Sequence, residues 1–132
     1  MLGTDRIDMQ MFSKGAEATY RRVDLDARIE ASSSENLTII CLEEAVSALG
    51  QALLVLEKQP DRMPGEPLAR AHGIALWLAG SVAPENPLRD PMIQFYGGLA
   101  VTIMRNMRQA SFGELAQVRN DFADLLGAAK TA

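Results

Sequence analysis

A chain of 132 residues suits one compact domain and can bury enough surface to be stable without a metal or a disulfide. Its 48% hydrophobic and 23% charged residues are the balance of a soluble globular protein, and a net charge of −4 with a pI near 5 argues against a general nucleic-acid binder. The single cysteine, Cys41, rules out an intramolecular disulfide framework and suits a reducing cytoplasm.

The opening MLGTDRIDMQMFSKGAEATY places Asp5, Arg6 and Asp8 where a signal peptide needs its apolar core. Ile7, Met11, Phe12, Tyr20, Val23 and Ile29 are scattered through residues 1–31, which read either as an amphipathic arm or short helix packed on the rest, or as a partly disordered terminus. The first long helix is expected from Ser32–Ser34. Ser32 with Glu35 makes a capping box, and Ser33 is an equally good N-cap. Leu37, Ile40, Cys41, Ala45, Ala48, Leu49, Ala52 and Leu56 follow helical spacing, and Ile39, Leu42, Val46 and Leu53 form a second stripe beside them. Together these exceed the apolar face that a surface helix normally needs. One side is therefore expected to face the chain's own core and the other a partner. Gly50 is a weak point in this helix or a place of close helix approach.

Two Pro-rich breaks, KQPDRMPGEP at 58–67 and APENP at 83–87, separate the next segments. A second helix is predicted from Pro67 to Val82, with Leu68, Ala71, Ala75, Leu78 and Val82 inward. A third runs from Asp90 to Gln109, with Met92, Phe95, Tyr96, Leu99, Ile103 and Met107 as its core face. A fourth opens on the capping box of Ser111 and Glu114 and carries Leu115, Val118, Phe122, Leu125 and Leu126 up to Gly127. No segment alternates as a strand would, and no window approaches the length of a membrane span. The fold expected is all-α: an antiparallel four-helix bundle over 32–132, with residues 1–31 as an N-terminal arm or short helix.

Catalytic vocabulary is sparse. One His and one Cys do not make a zinc site, and no Glu-x-x-His motif is present for a di-iron site. Glu43 and Glu44 are adjacent on a helix, diverge by about 100° and cannot face each other as an acid–base pair. His72 has no nucleophile motif to serve, and Cys41 sits on an apolar face as a small buried hydrophobe. In FYGGL (95–99) two glycines lie inside a helical pattern, which suits close helix packing or an outer notch better than a phosphate loop. Met104 and Met107 beside Arg105 and Arg108 suggest either core filler or an adaptable apolar surface. A binding module is expected, not an enzyme, with no cofactor and no metal.

YRRVDLDARIEASSSENL (20–37) followed by LEEAVSALGQALLVLE (42–57) resembles the flagellar secretion chaperones of the FliS family. That family shows a Tyr, an extended stretch with alternating apolar residues, an Ala-Ser-Pro helix start and a helix with an Ala-x-x-Ala-Leu-like segment. RAHGIALWLAGSV (70–82) resembles the family's second helix, and MIQFYGGL (92–99) its Leu-x-x-Leu-Tyr segment. Ser34 stands where the family has Pro, MRQASFGE lacks its Asn pattern, and GAAK replaces a Trp near the C-terminus. The resemblance implies a cytoplasmic chaperone that binds the disordered C-terminal region of flagellin, prevents its premature polymerisation and delivers it to the flagellar type III export gate. Whether a co-chaperone binds is left open; nucleic acid and membrane insertion are not expected, and a monomer or weak homodimer is. Tyr20 and Val23 are candidate lid residues; Ile39, Leu42, Val46, Leu53, Tyr96, Met104 and Met107 are candidate groove residues. The rival reading is a self-associating bundle that uses the second stripe for its own dimer.

Overall fold

The computed structural model of the chain describes residues 34–131, with side chains from Asn36 onward. The arm at 1–31, Tyr20, Val23 and the serine caps at 32–33 lie outside the described residues, as does the side chain of Glu35. Four helices follow in order: α1 (Ser34–Lys58), α2 (Gly65–Gly80), α3 (Arg89–Asn106) and α4 (Phe112–Thr131). No strand occurs among the described residues. The chain divides inside α1 into two compact units, Met1–Ile40 and Cys41–Ala132. In the first, Ile40 is buried and Leu37 and Ile39 half-buried. The second carries the four-helix bundle.

α1 is the richest contributor to the bundle's core. Cys41, Leu42, Ala45, Ala48, Leu49, Ala52, Leu53 and Leu56 are all buried. From Ala48 round to Leu53 they cover roughly 140° of the helix at 100° per residue. The second apolar stripe is thus half absorbed: Leu42 is 1% and Leu53 5% exposed, and Val46 packs half-buried against the same cluster. The expectation that no window approaches a membrane span is also corrected. Asn36–Lys58, 23 residues, is long and apolar enough by length and composition, but half of its most apolar window is buried in the protein. That is compatible with the core helix of a soluble bundle, where apolar side chains are covered by protein.

α2 begins two residues before the predicted Pro67. Leu68 N–H bonds Pro64 C=O at 3.2 Å, and Pro67 falls in the first turn, where a missing N–H costs nothing. Leu68, Ala71, Ile74, Ala75 and Leu78 face the core. The helix stops at Gly80; Ser81 Oγ donates to Trp77 C=O at 2.6 Å, and Val82 packs against the core from beyond the helix. The guanidinium of Arg70 ties α2 to α1. Its Nη2 donates to Gln51 at 2.8 Å, while Nε lies 3.3 Å from the Glu44 carboxylate and Nη1 3.5 Å from that of Glu66, in ion-pair contact without hydrogen-bond alignment.

α3 starts at Arg89 because the Asn86 side chain, not Asp90, organises the turn: Oδ1 accepts from Leu88 N–H at 2.8 Å. Adjacent helical residues diverge by about 100°, so only one of Phe95 and Tyr96 can point inward. Tyr96 does, in line with Leu99 and Ile103, and Phe95, expected in the core, is 44% exposed. α4 carries Leu115, Val118 and Phe122 inward. It continues through Gly127 to Thr131, since no glycine among the described residues takes the positive φ that would end a helix. Lys130 lies 3.6 Å from Glu43, placing the last turn of α4 beside α1.

Candidate binding groove

The α3–α4 corner is built on one buried amide. Asn106, fully buried, donates from Nδ2 to Thr102 C=O and to Glu114 Oε1, each at 2.9 Å. Its Oδ1 accepts from Ser111 N–H at 2.6 Å. Taking that N–H turns the chain and ends α3 three residues before the expected Gln109. The predicted capping box is half made: Glu114 N–H donates to Ser111 Oγ at 3.3 Å, but the Glu114 carboxylate goes to Asn106 and Arg105 instead of returning to Ser111. Those hydrogen bonds, from Asn106 first and then Arg105, hold the Glu114 carboxyl below its ordinary value.

Beyond this corner the two helices part to leave a groove of about 460 Å³. Leu99, Thr102 and Val118 line it, with Phe95, Gly98 and Gln94 on the α3 side and Gln117 and Asp121 on the α4 side. The Arg105–Glu114 ion pair at 3.1 Å lies at its corner end. Around α3 from Gly98, the exposed surface continues through Val101, 63% exposed, to Met104, 48% exposed. Such an arrangement offers apolar contact and a few fixed charges to a peptide segment.

The candidate groove residues are dispersed. Leu42, Leu53 and Tyr96 lie in the core, Met107 and Val46 are half-buried against it, and Ile39 is half-buried in the smaller unit. Met104 alone of the described candidates lies on an open surface, and it does not line the groove. Sequence reasoning placed Phe95 and Leu99 in the core and passed over Val101 and Asp121. The paired glycines at 97–98 were the available signal. Their notch reading suits the structure, whereas close packing does not: among the described residues, a Cβ at Gly50, Gly97 or Gly98 would meet nothing within 4 Å.

No group of three or more metal-binding side chains occurs among the described residues. His72 is half-buried on α2. Cys41 is 3% exposed, and its thiol is pushed up to about 11, by burial first and the nearby Glu44 carboxylate second. A raised thiol value leaves only about one molecule in 10⁴ as thiolate at neutral pH. Native protein should therefore react with an aromatic disulfide reagent far more slowly than urea-unfolded protein. Equal rates would contradict this burial. Comparison with protein-family models, with curated proteins and with solved structures finds no match to this chain.

Proposed function

We propose that this chain is a cytoplasmic flagellar export chaperone. It binds the disordered C-terminal region of flagellin, blocks premature polymerisation and hands the client to the type III export apparatus. The observation that carries the reading is an all-α bundle with an open groove between α3 and α4, floored by Leu99 and Val118 and edged by exposed Phe95. Large apolar side chains left in water beside a groove are the receiving half of a helix-in-groove interface. Flagellin is inferred as the client from the resemblance of 20–37 and 42–57 to the FliS family. Holding a client needs no chemistry: covering its assembly surface suffices. Ordering a disordered segment costs about 2–5 kcal/mol or more of the contact energy, which an extended interface offsets.

The test is a calorimetric titration of full-length flagellin and of flagellin lacking its last ~40 residues, a length of several helical turns. The full-length client should bind and the truncated one should not; equal binding removes the assignment. A second reading has its own observation. The outward side of α2 carries Leu76 at 52% and Trp77 at 40% exposure beside Ala69, Gly73 and Gly80, an apolar helix face suited to self-association. Light scattering on the flagellin-free protein in the same experiment separates the two: a stable dimer that ignores flagellin supports the self-associating bundle.

A further inference from the structure

We propose that the α3/α4 groove is a two-point slot: it takes from the client an apolar side chain and, three or four residues away, a lysine or arginine. The inference rests on the chaperone reading and specifies the client segment that this groove selects. Gly98 supplies the first point. It sits exposed within α3, and a Cβ there would meet nothing within 4 Å among the described residues, so no described contact requires glycine. A helical glycine costs roughly 0.5–1 kcal/mol against alanine, and here it leaves the wall of the groove open above Leu99 and Val118. An incoming side chain can reach that apolar floor between Phe95 and Val118 only if the wall stays low.

Charge supplies the second point. Three charged side chains line the groove. Arg105 and Glu114 neutralise each other at 3.1 Å. Asp121 accepts a hydrogen bond from Gln117 Nε2 at 3.0 Å, and no described cation lies within ion-pair distance of it. The unbalanced charge of the groove is therefore negative and sits on α4. Val118 and Asp121 are three residues apart, hence on one face of α4 and about 4.5 Å apart along its axis. A helix laid along the groove matches that step with residues three or four apart. A neutral or acidic amphipathic segment would fill the floor but leave Asp121 unpaired or repelled.

The experiment uses the full chain and a flagellin C-terminal fragment of about 40 residues, titrated at low and high salt. Gly98→Leu should weaken binding about tenfold or more while melting no lower than wild type, and Gly98→Ala should raise the melting temperature with a smaller loss of binding. Asp121→Asn should weaken binding several-fold and flatten its salt dependence. Asp121→Lys should bind a fragment whose groove-seated basic residue is changed to Glu more tightly than wild type does. If the fragment binds wild type, Gly98→Leu and Asp121→Lys equally, the slot is overturned and the chaperone reading stands. If the fragment does not bind wild type at all, both fall. A wild-type dimer that Gly98→Leu dissociates would assign the groove to a second copy of the chain and also overturn the proposal.

Discussion

Replacing Leu42 by alanine should destabilise the protein by about 2–5 kcal/mol, because the side chain is 1% exposed and its removal loses transfer energy and leaves a cavity. In a domain of this size that lowers the melting temperature by roughly 10 °C or more. Leu54→Ala is the control. It removes the same atoms from the same helix at a site 51% exposed, and should change stability by no more than about 0.5 kcal/mol. Urea or thermal melts followed by circular dichroism measure both. The contrast decides what the second stripe of α1 does. If Leu42→Ala keeps its melting temperature and instead loses affinity for a client, that stripe faces a partner; if stability falls, the stripe belongs to the bundle.

The helices themselves were legible, and for a physical reason: each carries its own apolar period, and the breaks at 58–67 and 83–87 hold the prolines that interrupt it. Inward residues of α2 and α4 were legible for the same reason. Leu68, Ala71, Ala75 and Leu78, like Leu115, Val118 and Phe122, define one narrow stripe with only one face to cover. α1 was harder. Its width was read correctly, but periodicity fixes the angular position of a side chain and not what covers it, so Leu42 and Leu53 looked available to a partner. The ends of α3 depended on side chains that replace backbone partners, Asn86 before the helix and Asn106 at its close. An asparagine that caps and one that merely sits on a surface look alike in a sequence.

The groove was legible only in part. Gly98 and Asp121 lie on different helices, so no sequence window contains both. The tandem glycines indicated a notch, but not that its opposite wall would carry a carboxylate with no described cation in ion-pair contact. Phe95 was lost to a neighbouring aromatic, since either it or Tyr96 satisfies the pattern and only the register with Leu99 and Ile103 chooses between them. The floor residues Leu99 and Val118 were read as core, and they are core; their outer edges also line the groove.

Asn106→Ala should cost about 2–3 kcal/mol although it deletes no apolar surface of consequence, because it removes the acceptor for Ser111 N–H and the donor to Thr102 C=O and Glu114 at once. Asn106→Asp separates the loss of hydrogen bonds from a change of volume. Aspartate keeps an acceptor for Ser111 N–H but turns a carboxylate oxygen toward Thr102 C=O and the Glu114 carboxylate. In wild type the Glu114 value is depressed on folding, so its contribution is present above the unfolded carboxyl range and is lost as pH falls through the folded value. In Asn106→Asp the two facing carboxylates raise one folded value above its unfolded one, so the penalty is full at neutral pH and relieved once that group takes a proton. The stability gap between wild type and Asn106→Asp should therefore narrow as pH falls from 7 toward 4, with both curves measured by urea unfolding. Asn106→Ala brings no second carboxylate to the corner, so its gap should hold down to the carboxyl range and narrow only where wild type itself loses the Glu114 contribution. A gap for Asn106→Asp that stays constant across this range would mean that Glu114 swings away from position 106, and that the corner is held by the Ser111 N–H contact alone.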